Sequence, residues 1–224
     1  LFGALKAHVM APSKKGDAAC AKVVARGIGG VGKTVLAAAV VRDPEVLQCF
    51  DALAWVAIGQ TPNLAALQRS VLQQLGGSSV PTDADESTLV EALSAASAGK
   101  RVLIVIDDPW DPTHEPALGC VDESTASVVF VTTRLRGLIK GAAEVELDTL
   151  SRDEALSLLL RAGDLPAPTM ERPAPPAAFE AVELCGRLPL CIQVAGAMIQ
   201  EHADDWEEWL VPALKQSHEG AELR

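Results

Sequence analysis

The sequence predicts an α/β fold, a parallel β-sheet layered between helices, followed by a small all-helical region. Three observations predict it. From Lys22 to about Leu147, short β-rich runs alternate with helix-like runs. The run VLIVI at 102–106 is apolar without alternation, as a strand covered on both faces requires. Beyond Leu147 only helix-like runs remain.

The elements follow in order. Strands are expected at KVVAR (22–26), ALAWVAI (52–58), RVLIVI (101–106), SVVFVTT (127–133) and EVEL (144–147). Between them lie helical stretches: TVLAAAVV after a glycine-rich loop, LAALQRSVLQQL after Asn63, and LVEALSAA after Thr88. Gly76, Gly77, Ser78 and Ser79 end the second of these and open a polar loop. Ser151 and Glu154 have capping-box spacing, in which the serine oxygen accepts from the third helical N–H and the glutamate reaches back. EALSLLLRA follows, then a proline-rich link, LPAPTMERPAPP, whose prolines favour extended backbone over helix. The chain then runs through AFEAVELCGRLPLCIQVAGAMIQ to DDWEEWLVPALKQ.

With 224 residues, 49% hydrophobic and 22% charged, the chain suits one large domain or a domain with a subdomain. The longest uncharged apolar stretches fall short of the ~18 residues expected of a membrane span, so no membrane partner is expected. The first residue is Leu1, and LFGALKAHVM carries no basic lead into a signal core, so it supports no targeting assignment. Cys20, Cys49, Cys120, Cys185 and Cys191 form no CxxC pair, which favours reduced thiols in a cytoplasmic setting over zinc. The formal charge of -11 repels a phosphodiester backbone and disfavours nucleic acid. Residues 1–42 run against that balance, with Lys6, Lys14, Lys15, Lys22, Arg26, Lys33 and Arg42 against Asp17 alone. A solvated basic segment is the expectation there, a contact with an acidic partner the alternative.

Residues 27–34 read GIGGVGKT, which satisfies two phosphate-binding patterns. As G-x-G-x-x-G, through Gly27, Gly29 and Gly32, it resembles a dinucleotide fingerprint; as G-x-x-x-x-G-K-Ser/Thr, it is a Walker A loop. A dinucleotide site needs an acid near the end of the second strand, ~20 residues on, to bind the ribose. Here that strand ends AIGQ, and Asp51 precedes it. A kinase glycine loop keeps its lysine on a later strand, whereas Lys33 follows the last glycine directly. The Walker A reading remains. Gly27, Gly29, Gly30 and Gly32 would let backbone N–H groups turn around phosphates, Lys33 would reach the β and γ phosphates, and Thr34 would ligate Mg2+.

Asp107 and Asp108 stand at the C-terminal end of the apolar strand, where an α/β sheet binds its ligand. Asp107 is expected to hold Mg2+ and Asp108 to orient or deprotonate a water, the catalytic role. Arg134 ends the next β-rich run and would place a guanidinium near a terminal phosphate. Together these predict a site for Mg2+ and a nucleoside triphosphate in a three-layer P-loop NTPase fold.

GIGGVGKT, LIVIDDPW, VVFVTTR, CGRLPL and DDWEEWL, in that order, resemble the motifs of the NB-ARC domain, the STAND-class P-loop ATPase of plant disease-resistance proteins and of the apoptosome scaffold. The resemblance runs over roughly residues 20–215. It implies ADP or ATP as ligand with Mg2+, a Walker A pair at Lys33 and Thr34 flanked by Val35, Walker B acids at Asp107 and Asp108, a first sensor at Arg134, and an adenine-side proline at Pro189. It also implies an N-terminal flank at 1–21, a nucleotide-binding domain at 22–148, and a helical lid at 149–224. Departures are Arg187 where the family's GLPL motif begins with glycine, Val35 in place of a second threonine, and Pro109 in place of a small aliphatic residue. The residues stop short of the family's winged helix and its ADP-reading histidine, and the element before the first strand that contacts the base is at best a remnant in LFGALKAHVM. His202 and His218 are expected to be solvated. The resemblance implies a regulatory switch working by nucleotide exchange and self-association or contact with another signalling protein. The alternatives are a constitutive, at most slow, Mg-dependent ATP hydrolase and a truncated relative that binds nucleotide without signalling.

Overall fold

Five strands form one parallel sheet in the computed structural model, which describes residues 1–11 and 21–222. They are β1 (Ala21–Arg26), β2 (Ala52–Ala57), β3 (Val102–Asp107), β4 (Val128–Thr133) and β5 (Ala143–Glu146), in spatial order β2-β3-β4-β1-β5. All four pairings are parallel. The central strands β3 and β4 are buried at every position, the condition that produces their unbroken apolar runs.

The chain divides into two compact units, Leu1–Gly27 with Lys33–Leu147, and Ile28–Gly32 with Asp148–Arg224. In the first, α2 (Lys33–Val41) follows the glycine loop, α3 (Pro44–Leu47) is capped by Asp43, and α4 (Leu64–Gln74) by Asn63, whose side chain accepts from the Ala66 N–H. Next come α5 (Glu86–Ser97), capped by Asp85, and α6 (His114–Leu118). Val71, Leu72, Leu93 and Leu118 from α4–α6 cover the sheet face formed by Ala54, Val56, Ile104, Ile106, Val129 and Val131. α2 packs against β1 and β4, giving helix, sheet and helix layers.

Residues 2–10 are helical, an element that the sequence did not predict. α1 (Phe2–Met10) buries Leu5 and Val9, an i, i+4 pair on one stripe, and packs against α2, α3, β1 and β5. Its N-cap Leu1 offers no side-chain cap, so local signals for it are weak. Lys6 instead ties it down, with Nζ 2.8 Å from Asp43 and 2.9 Å from Glu45. Lys22 likewise meets Glu115 at 2.8 Å, and Arg26 pairs with Glu144 and Glu146. These three cations therefore serve intramolecular ion pairs rather than forming the solvated segment expected. Lys14, Lys15, Asp17 and Cys20 lie outside the described residues, as does the His218 side chain.

In the second unit, α7 (Arg152–Ala162), α8 (Pro176–Leu184), α9 (Pro189–Glu201) and α10 (Trp206–Glu222) enclose a core that includes Leu159, Val182, Ile192, Ile199 and Leu210. α8 and α9 each begin with proline, tolerated there because a first-turn N–H has no intrahelical partner. Pro212 lies inside α10. α8 ends in a Schellman arrangement, with Arg187 N–H donating to Val182 O at 3.1 Å and Gly186 N–H to Glu183 O at 2.9 Å. α7 has the expected capping box, Ser151 accepting from the Glu154 N–H while Glu154 Oε2 accepts from the Ser151 N–H at 2.9 Å.

Hydrogen bonds from the Ser151 hydroxyl and backbone hold the Glu154 carboxyl below its ordinary value of 4.5. A depressed carboxylate contributes stability above its unfolded pKa and loses it as pH falls through the lower folded value. Ser151→Ala is therefore expected to lower the melting temperature more at pH 6 than at pH 3; equal losses in thermal melts at the two pH values would show that the cap does not act through Glu154.

Candidate nucleotide-binding site

The parallel register sets the C-terminal end of the strands. Asp107 closes β3 opposite Thr132 of β4, and Thr133 stands opposite Arg26, the last residue of β1. Three strand ends thus converge where the chain leaves the sheet, the place where such folds bind ligands. Gly27 follows directly, its N–H donating to Thr133 O at 3.2 Å.

In the loop, Gly30 has φ +79° and Gly32 φ +95°, values that residues with a Cβ adopt only at a cost. Gly27 and Gly29 do not need positive φ. Lys33 opens α2 and is only 7% exposed, with Nζ donating to Gly27 O at 2.9 Å. Burial lowers the affinity of its amine for a proton; Asp108 and Asp107 oppose that shift, and Arg134 reinforces it. Thr34 Oγ1 donates to Asp107 Oδ1 at 2.9 Å, so a hydroxyl and a carboxylate meet at one point. The Thr132 hydroxyl also donates to Asp107 Oδ1.

Thr132 is the residue that sequence reasoning passed over. Fully buried, it fixes one carboxylate oxygen of Asp107, and its carbonyl and hydroxyl both accept from the Asp108 N–H at 3.0 Å. A polar residue on an otherwise apolar buried strand was the available signal, but only the β3–β4 register brings it to Asp107.

Asp108 has φ +54°, an uncommon conformation for a non-glycine residue, and its N–H is held by that pair of hydrogen bonds to Thr132. Its carboxylate lies 3.6 Å from Arg134 Nη2, and the guanidinium carbon lies 5.3 Å from the centroid of the Trp110 ring. The structure therefore brings Lys33, Thr34, Asp107, Asp108 and Arg134 into one constellation in the first unit. Val35, on the first turn of α2, is 74% exposed.

Within the second unit, Pro189 begins α9, and the N–H of the next residue, Leu190, donates to Gly30 O at 3.2 Å. A Cβ at Gly30 would lie 3.3 Å from Leu190 Cβ, so glycine suits the close approach there. Arg187 has φ +54°, where a motif glycine would carry no Cβ penalty. Its side chain extends into solvent, Nε 3.8 Å from Glu183. His202, half-exposed, stacks on Trp209 with ring centroids 4.2 Å apart.

The model of the NB-ARC domain matches residues 7–164 of this chain. The chain belongs to the NB-ARC family. NB-ARC relatives include "Disease resistance RPP13-like protein 4" of Arabidopsis thaliana, 32% identical over 82% of this chain and 22% of that protein. Another is "Putative disease resistance protein RGA1" of Solanum bulbocastanum, 30% identical over 85% of this chain and 21% of that protein. The chain thus spans about a fifth of the length of these relatives. Among solved structures, the Aeropyrum pernix ORC2 protein in ADPNP and ADP complexes covers 94% of this chain and 66% of its own, with a TM-score of 0.61 at 15% identity, a likeness of fold. NB-ARC membership and the sheet with its glycine loop make this a P-loop NTPase fold with helical C-terminal elements. Family membership implies nucleotide binding, typically with Mg2+. No helix among the described residues is long and apolar enough to cross a membrane.

Proposed function

We propose that this NB-ARC chain is a regulatory switch that holds ADP at rest and exchanges it for ATP to signal, as part of a defence response. The observation that carries this reading is the constellation of Lys33, Thr34 and Asp107 with the Arg134–Asp108 pair beside it. These residues fit a magnesium nucleotide. Thr34 and Asp107 present hard oxygen atoms within 2.9 Å of each other, the donor type Mg2+ prefers. The positive φ of Gly30 and Gly32 suits a loop whose N–H groups turn toward phosphates.

In this reading Thr34 and Asp107 hold Mg2+, and Thr132 keeps the carboxylate aimed. When bound, Mg2+ would neutralise phosphate charge. Lys33 offers a cation that is already buried. Gly27, Gly29, Gly30 and Gly32 wrap the phosphates, Val35 lines the first turn of α2, and Pro189 serves the base side. Asp108 orients a water for a hydrolysis that resets the switch and can be slow. Self-association or contact with another signalling protein follows from the triphosphate state. The four described cysteines, all free thiols, fit the reducing cytoplasm.

A ligand shifts a two-state equilibrium only by its differential affinity, so the terminal phosphate must be read by a residue that ADP leaves unused. Arg134 is assigned that role. Arg134→Ala is expected to weaken Mg–ATP binding about ten-fold, the scale of one charge-assisted hydrogen bond, while Mg–ADP changes less than two-fold. Titration calorimetry decides it, and equal losses on both nucleotides would remove Arg134 from the sensor role.

A further inference from the structure

We infer that Trp110 is a positioning residue for the terminal phosphate, its indole ring the platform that holds the Arg134 guanidinium. The inference rests on the reading of Arg134 given above and deepens it. Trp110 is 44% exposed, so much of its ring lies at the protein surface. Its ring lies 5.3 Å from the guanidinium carbon of Arg134, within cation–π range.

The backbone explains why the two meet. Trp110 is carried by the turn after β3, and that turn is tied to β4 at successive residues. The Asp108 N–H donates to Thr132 O and Oγ1, each at 3.0 Å, and the Thr133 hydroxyl donates to Pro109 O at 3.3 Å. Pro109 restricts the backbone just before Trp110. Arg134 leaves the same strand end, where the Leu135 N–H returns to Thr133 Oγ1 at 3.1 Å. Platform and arginine are thus both referenced to Thr132 and Thr133, so their relation is set by strand register rather than by the loops.

A flexible arginine at a solvated strand end samples many rotamers, and gripping a phosphate selects one. The cation–π contact restricts that sampling without using the guanidinium N–H groups as hydrogen-bond donors. The Asp108 carboxylate, 3.6 Å from Nη2, holds the group until a more strongly charged phosphate arrives. Trp110 therefore raises affinity for the triphosphate without touching it.

The test is titration of Mg–ADP and a non-hydrolysable Mg–ATP analogue into the wild-type chain, Trp110→Ala, Trp110→Phe, Arg134→Ala and the Trp110→Ala/Arg134→Ala double variant, each checked for folding by thermal melt. Trp110→Ala is expected to weaken the triphosphate about three-fold, the scale of an exposed cation–π contact, with the loss confined to the triphosphate. Trp110→Phe should fall between, and the double variant should bind the triphosphate no more weakly than Arg134→Ala alone. Equal losses on both nucleotides, additive losses in the double variant, or tighter triphosphate binding by Trp110→Ala would each overturn the inference. If Arg134→Ala discriminates the nucleotides and Trp110→Ala does not, the inference fails and the sensor reading stands; if Arg134→Ala does not discriminate, both fail.

Discussion

Lys33→Ala is expected to leave the protein empty of nucleotide and to weaken Mg–ATP binding by about 100-fold or more. The lysine is buried where the loop closes, and its ammonium reaches Gly27 O. Burial disfavours its charged form, and the proposed phosphates would supply the compensating charge. Removing the side chain takes away both the charge that grips phosphate and the cost of burying it. The nucleotide-free variant should therefore melt no lower than the nucleotide-free wild type. Two measurements check this. Denatured wild-type protein should release ADP, identified by chromatography, and the variant none. Mg–ATP should raise the melting temperature of the wild type and not of the variant. Native affinity in Lys33→Ala would sink the nucleotide reading, and a collapse of the fold would assign Lys33 a structural role instead.

The second large effect is on the helical unit. A Cβ at Gly196 of α9 would lie 2.3 Å from Ala162 Cβ and 2.7 Å from its carbonyl carbon on α7, distances no folded contact sustains. Glycine in mid-helix ordinarily costs about 1 kcal/mol relative to alanine, so an open site would gain from replacement. Here the close approach of α7 and α9 decides the sign. Gly196→Ala is expected to destabilise by roughly 1–3 kcal/mol, and Gly196→Val to prevent the helical unit from packing. Gly3 of α1 is the internal contrast. Its added Cβ would meet nothing within 4 Å, so Gly3→Ala should be neutral or stabilising by up to about 1 kcal/mol. Denaturant titration of both variants checks the prediction; a stabilising Gly196→Ala would mean that the two helices do not approach as described.

Much of the proposed nucleotide site was legible because its signals are local. A glycine loop between a strand and a helix, five aliphatics before two acids, and an arginine at a strand end each declare themselves within a few residues. Thr132 was not legible, because its role depends on a neighbour 25 residues away brought into register by parallel pairing. Trp110 read as one letter of a motif until the ring was seen beside Arg134. Arg187 was legible only as a departure. The structure adds that its backbone takes a positive φ at the last residue of the Schellman arrangement, which explains why glycine would suit that place.

The amino-acid sequence by itself determined the α/β class, the five strands, the phosphate loop and the capping box of α7, because periodicity, buried apolar runs and caps act over a few residues. Tertiary structure alone decided the rest. The strand order β2-β3-β4-β1-β5 places Asp107, Thr132 and Gly27 together at the C-terminal ends of neighbouring strands. α1 is held by buried Leu5 and Val9 and by the pairing of Lys6 with Asp43 and Glu45, rather than by a cap. In both cases the energy that specifies the arrangement comes from residues distant in the chain, and a local reading carries no record of it.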